Sequence, residues 1–235
     1  MRISILKAGK GDSLLLSWED NHMLIDSGTP STLRKNRNTF LPSTQDIEYY
    51  LLTHIDFDHI GGFIDLLSKT KKQYLHPSLI FFGNTLDLIK YKNNDKVGYH
   101  HGSLLTDLTS NLGIKTKSLH AGNTLKLKGL LITVLSPLVE HLDILIKKWS
   151  EAEKEYNKIQ RSDDFVSVNQ KVINIDEKKV LPEYSKSPEN DILNATSIAF
   201  LAEYNNKKIL ILGDAHSEII LEQLEKIVSE EDEKK

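Results

Sequence analysis

Four side chains able to bind a metal fall within six residues: His54, Asp56, Asp58 and His59, in the run Thr53-His54-Ile55-Asp56-Phe57-Asp58-His59-Ile60-Gly61-Gly62. Alternate residues of an extended segment share a side, so His54, Asp56 and Asp58 can converge, with His59 near the start of the following helix. Two imidazoles and two carboxylates suit zinc, manganese or iron, and a second ion can share the cluster. The chain has no cysteine, so any metal site must use His nitrogen and carboxylate oxygen. Gly61 and Gly62 remove side-chain bulk where backbone must approach closely. Two other chemistries have no motif here: there is no G-x-x-x-x-G-K phosphate loop and no G-x-S-x-G elbow.

The elements around this cluster follow from patterning. Ile3–Lys7, Ser13–Trp18 and His22–Ile25 read as strands separated by Gly9-Lys10-Gly11-Asp12 and Asp20-Asn21. Thr29–Phe40 is polar and basic, a loop or short helix. Ile47–Thr53 is a buried-type strand running into the cluster, and the two glycines are expected to open a helix over Phe63–Ser68. Leu79–Phe82 is a strand, and Ser103–Leu112 a helix ended by Gly113. A second run of strands covers Ile114–Leu119, Thr124–Leu127 and Leu130–Leu135. Apolar residues at spacings of three and four (Leu138, Leu142, Leu145, Ile146, Trp149) make 138–160 helical. Arg161–Asn190 is a polar, irregular stretch. Ser197–Tyr204 and Lys208–Leu212 form a hairpin across Asn205-Asn206, and Ser217–Val228 is a helix. Strands come in runs with helices between them, which reads as α+β layers, not alternating βαβ units.

The chain of 235 residues, 39% hydrophobic and 27% charged, suits one large domain over 1–235 with a helical and irregular insertion at about 138–190. Its net charge of −3 argues against a broadly basic nucleic-acid surface while allowing a local patch. No apolar run approaches the roughly 18 residues of a membrane span, and Met1–Lys7 reads as a strand instead of a signal peptide. A cytoplasmic protein without a membrane partner is the expectation.

The His54–Gly62 segment resembles the metal-binding signature of the metallo-β-lactamase fold, T-H-x-H-x-D-H-x-G-G, with Asp56 where most members carry a second His. That variant is similar to the branch containing the metallo-β-lactamase-like domain of DNA-uptake competence proteins. Further motifs follow in the order the resemblance requires: Gly11-Asp12-Ser13, Leu24-Ile25-Asp26-Ser27-Gly28, Asn194-Ala195-Thr196-Ser197 and Ile211-Leu212-Gly213-Asp214-Ala215. The resemblance implies an αββα sandwich and a hydrolase using metal-bound hydroxide, most of all on a phosphodiester or nucleic acid. It assigns His54 and Asp56 to a first metal, Asp58 and His59 to a second, and Asp214 as their bridge. Asp58 would also orient water or protonate the leaving group, and Asp26, Gly61, Gly62 and Asn194 would support the site. The ions would be zinc or manganese, one or two, with Asp56 moving preference toward manganese or magnesium.

Two further His ligands belong to that pattern. Candidates for metal or substrate contact are His120 and, in Tyr99-His100-His101-Gly102-Ser103, His100 and His101. The family continues beyond its last motif with more strands, so the chain is expected to be incomplete at its C-terminal end. A partner chain or second copy would then supply the remainder. A non-catalytic subunit of a larger complex is the alternative reading.

Overall fold

The computed structural model describes residues 1–8, 11–37, 39–84, 97–159, 187–188 and 191–232. Its first sheet begins as an antiparallel meander of β1 (Arg2–Ile5), β2 (Leu14–Trp18) and β3 (Asn21–Ile25). The chain then runs through α1 (Pro30–Arg37), β4 (Tyr49–Leu51), α2 (Phe57–Lys69), β5 (Ile80–Gly83), α3 (Val97–Asn111) and β6 (Lys115–Ser118). The six strands lie in chain order, with β3 to β6 parallel. Parallel neighbours need crossovers, and the helices provide them. This half of the sheet therefore alternates strand and helix, which corrects the expectation of α+β layers without alternating βαβ units, although the strands and helices of this half were each expected.

The second sheet is antiparallel in the order β10-β9-β8-β7, from β7 (Thr124–Leu127), β8 (Leu130–Ser136), β9 (Ala199–Tyr204) and β10 (Lys207–Ile211). Asn205 and Asn206 turn the last hairpin with φ of 48° and 59°, the left-handed pair that a two-residue hairpin loop requires. Helices α4 (Val139–Ile159), α5 (Ile192–Ala195) and α6 (Ser217–Asp232) complete the described elements.

Strand alternation divides the core. Trp18, Met23, Leu51 and Phe82 face Leu130, Ile132, Phe200 and Ala202 across the two sheets. Leu24, Tyr50 and Phe81 point the other way, onto Ile60 and Phe63 of α2, Leu105 of α3 and Trp149 of α4. Ile220 of α6 covers Leu135 and Ala199 on the outside of the second sheet. The layers are helix, sheet, sheet, helix: the expected αββα sandwich.

Two helix starts differ from the sequence expectation. Helix α2 begins at Phe57, ahead of the glycines, and α3 begins at Val97, so His100 and His101 lie inside it. Much of the expected irregular stretch, residues 160–186 and 189–190, lies outside the described residues.

Gly61 and Gly62 act inside α2 by letting it press on the loop after β3. A Cβ on Gly62 would stand 2.5 Å from the Ser27 carbonyl oxygen, and one on Gly61 would stand 2.9 Å from Pro30 Cδ. Gly62→Ala is expected to destabilise the fold by about 1–3 kcal/mol through overpacking. Thermal denaturation checks this, and an unchanged midpoint would contradict it.

Candidate metal centre

The site forms where the ends of the two sheets meet. The Leu52 amide donates to the Phe82 carbonyl at 2.9 Å, and the Ile198 amide donates to the Thr53 carbonyl at 2.9 Å, tying the end of β4 to the start of β9. His54 follows at once. Its side chain is fully buried, with Nδ1 3.0 Å from Thr53 Oγ1. Among the described residues its Nε2 has no hydrogen-bond partner; it faces Asp56 Oδ2 at 3.7 Å and Asp214 Oδ2 at 3.9 Å. The His59 ring lies beside it at a centroid distance of 4.2 Å, and His59 Nε2 is 3.7 Å from the same Asp214 oxygen.

Asp56 occupies the N-cap position of α2, where an aspartate ordinarily accepts from the first-turn amides. It makes no such side-chain bond. Its carboxylate turns to His54 instead, and that imidazole holds the Asp56 carboxyl below the usual carboxylate range against the opposing effect of burial.

Asp26 sits beneath the cluster, 1% exposed, at the end of β3. Its carboxylate accepts from the Thr53 amide at 2.8 Å and the Thr53 hydroxyl at 2.6 Å. His59 Nδ1 lies 2.8 Å from Asp26 Oδ2. With Nδ1 donating there, Nε2 is left facing the cluster, the arrangement by which carboxylates orient metal-binding histidines. On the other side, the Asp214 amide donates to Ser197 Oγ at 3.1 Å, and the Ser197 amide donates to the Asn194 carbonyl at 2.9 Å. Asn194 thus acts through its backbone on the turn that presents Asp214.

Burial disfavours a charged His59, but the Asp26 hydrogen bond and the charges of Asp26, Asp214 and Asp58 outweigh it and push the imidazole pKa up to about 9. In metal-free protein this group favours folding fully below its unfolded pKa near 6.5, and the contribution fades as pH rises through about 9. Chelated protein is therefore expected to lose stability between those values, by at most roughly 3 kcal/mol. Denaturant titrations across that window check the sign. A rise in stability toward pH 9 would contradict it.

The remaining sequence candidates divide. Asp58, in the first turn of α2, is half-buried, and its carboxylate has no hydrogen-bond or ion-pair partner among the described residues. His101 lies on α3 with its ring against the exposed Phe57 at 4.8 Å. His100 lies on α3, its side chain outside the described residues. His120 does not join the cluster: its Nδ1 is 2.9 Å from the Ala121 carbonyl and its Nε2 is 3.3 Å from Asn123 Nδ2, both within its own turn. Asp12 was not among the candidates, yet its carboxyl is raised by burial and by the charges of Asp26 and Asp214, while His59 and His54 lower it. Its only sequence signal was the Gly11-Asp12-Ser13 motif.

Ligand atoms of His54, His59 and Asp214 lie within 4.8 Å of one another. A family model, the metallo-beta-lactamase superfamily, matches residues 6–226. The chain belongs to the metallo-beta-lactamase superfamily. Members of that superfamily are generally metal-dependent hydrolases, typically of zinc. No curated protein matches the sequence. Among solved structures, the chain is similar to the metallo-beta-lactamase fold protein YhfI from Bacillus subtilis, at 12% identity and a TM-score of 0.47, over 89% of this chain and 61% of that one. It is similar to MIM-2 metallo-beta-lactamase at 13% identity and a TM-score of 0.39, over 85% and 53%. A diphosphatase from the PhnP family is similar at 15% identity and a TM-score of 0.35, over 52% and 42%. The chain spans less than two thirds of the length of each of these structures. Among the described residues, no helix is long and apolar enough to cross a membrane.

The donor set fits the divalent cation that the superfamily implies. The 3.7–3.9 Å gaps are too long for hydrogen bonds. They match the spacing of two ligands that each reach about 2.1 Å to a shared ion. A buried nitrogen without a partner is costly in a finished core, and a cation in the gap would satisfy it.

Proposed function

We propose that the chain hydrolyses phosphodiesters, with nucleic acid as the substrate class, through a divalent cation held by His54, His59 and Asp214 with Asp56 beside them. The observation that carries this reading is the unpartnered, buried His54 Nε2 turned toward two carboxylates. Asp56 in place of a second imidazole makes the donor set richer in oxygen, which favours manganese or magnesium as well as zinc. The likeness of the motifs to the competence-protein branch supports phosphodiesters over β-lactams.

When bound, the cation lowers the pKa of a coordinated water toward ~7 and polarises the phosphoryl oxygen. The chain's own residues do the rest. Asp26 fixes the His59 ring by its Nδ1 contact, and Thr53 closes the same carboxylate from the other side. The histidines are buried, whereas the Asp56 and Asp214 side chains are 38% and 43% exposed, so substrate approaches from the carboxylate side. Asp58, with no partner to hold its carboxylate, takes the proton-transfer role: it orients the attacking water and returns a proton to the leaving oxygen.

Purified protein supplied with Mn²⁺ or Zn²⁺ is expected to hydrolyse bis(p-nitrophenyl) phosphate and single-stranded DNA, and to lose both activities on chelation. Nitrocefin and a thioester serve as comparison substrates. Turnover of either with no phosphodiester hydrolysis would overturn the substrate assignment.

A further inference from the structure

A cavity of about 400 Å³ opens between the C-terminal halves of α1 and α2. That volume falls in the range of small-molecule sites, roughly 300–1,000 Å³. Leu33 and Leu66, both buried, give it an apolar floor. The loop before β4 forms one wall and is braced at two points. The Thr44 hydroxyl donates to the Tyr74 carbonyl at 2.7 Å, and Gln45 Nε2 donates to the Gln73 carbonyl at 3.0 Å. Tyr74 also lines the cavity and is 53% exposed. Asp65 and Lys69, on its α2 side, follow His59 by roughly 9–15 Å along the helix axis. The cavity is therefore separate from the cluster at the start of that helix.

Positive charge is in excess around it. Arg34 and Arg37 of α1 and Lys69 of α2 line the cavity, against one carboxylate among the described residues, Asp65. That carboxylate is engaged twice, by Arg34 Nη1 at 2.9 Å and by Lys69 Nζ. Lys69 and Arg34 hold the Asp65 carboxyl below the usual carboxylate range, so it is ionised at neutral pH. Two positive charges remain uncompensated. Arg37 makes no hydrogen bond or ion pair among the described residues, and Arg34 keeps the donors that Asp65 does not take. Beneath them, Tyr50 shares a core cluster with Leu33 and Leu66. Its buried hydroxyl has no hydrogen-bond partner among the described residues. Burial pushes that hydroxyl up, and the Arg37 charge reaches it in opposition.

We propose that this cavity binds a nucleoside monophosphate, its phosphate held by Arg34, Arg37 and Lys69 and its organic part lying on Leu33, Leu66 and Tyr74. The excess of two positive charges matches the dianion of a phosphate monoester, whereas a phosphodiester carries one negative charge. Guanidinium forks present paired donors to phosphate oxygens, and an ammonium adds a point charge. An exposed aromatic ring beside an apolar floor suits a base, since every base offers a face for stacking. The assignment rests neither on the metal centre nor on the proposed reaction.

The test is calorimetric titration of the full chain with AMP and with adenosine, both with Mn²⁺ present and after chelation. The native chain is expected to bind AMP with a Kd below about 1 mM, and adenosine at least roughly tenfold more weakly. Chelation should leave AMP binding in place. Arg37→Gln keeps an exposed polar side chain and removes no internal hydrogen bond, so it should unfold at the native midpoint while binding AMP at least roughly tenfold more weakly. A 5′-phosphorylated trinucleotide, the same phosphate at the end of a strand, should bind more weakly than AMP. No AMP binding at millimolar concentration would overturn the assignment, as would equal binding by Arg37→Gln or adenosine binding as tightly as AMP. Loss of AMP binding on chelation in folded protein would place the phosphate at the metal centre and overturn it too. A trinucleotide bound as tightly as AMP would make a strand end the ligand and overturn the mononucleotide. These readouts are of binding, so they stand whether or not phosphodiesters are hydrolysed.

Discussion

His54→Ala is expected to lower metal-dependent hydrolysis by more than about a hundredfold, because even a residue one bond removed from a metal typically costs ~10–100-fold. His54 is the buried member of the set whose Nε2 has no other function in the fold. Alanine also leaves a cavity, so Asp58→Asn is the matching variant. It changes no hydrogen bond among the described residues. Its folding stability should therefore stay within about 0.5 kcal/mol of the native value, while activity collapses. Steady-state kinetics with saturating Mn²⁺, paired with thermal denaturation, separate the two effects. Activity that survives in both folded variants would contradict the proposed chemistry.

Asp26→Ala is expected to have the largest effect on stability. The substitution removes the acceptor for the Thr53 amide and hydroxyl and the partner of His59 Nδ1, all in a site 1% exposed. Breaking a buried, hydrogen-bonded charge pair from one side costs about 3–5 kcal/mol. It should also weaken metal binding by ~10–100-fold, since His59 loses the contact that turns its Nε2 to the cluster. The loss of stability between the unfolded His pKa and about 9 should shrink in the same variant, because Asp26 is the main source of the raised His59 value that burial opposes. Denaturant unfolding and metal titration of one preparation read all three. A stability within about 1 kcal/mol of native and an unchanged metal affinity would contradict this role.

The legible part of this site was local. His54, Asp56, Asp58 and His59 sit in one run after a buried strand, and the strand's burial and the run's density could be read together. Asp214 was legible by its Leu-x-Gly-Asp context, and Asp26 by its place at a strand end. Less visible were the partners that depend on through-space packing. Nothing near Asp12 in the sequence says that Gly11 rests on the Asp58 carbonyl, a contact between turns that are distant in the chain. Helix starts were misplaced for a related reason. Glycines 61 and 62 look like breakers, yet α2 tolerates them because their bare faces pack on Ser27 and Pro30, and that packing outweighs their poor helix propensity. His120 was a candidate because the resemblance calls for a further histidine from mid-chain, and it sits at a strand end before Ala121-Gly122. Both of its ring nitrogens are engaged within its own turn, which sequence position does not show. The strands of the parallel half were read at 47–53 and 79–82, but their parallel pairing depends on crossovers through space that no local pattern shows.

The measurement closest to the central claim is anomalous diffraction from crystals grown with Mn²⁺. The account predicts a peak within about 2.3 Å of His54 Nε2, His59 Nε2 and an Asp214 carboxylate oxygen. A protein that crystallises in the same fold with manganese elsewhere, or with no peak between those three atoms at saturating metal, would contradict it.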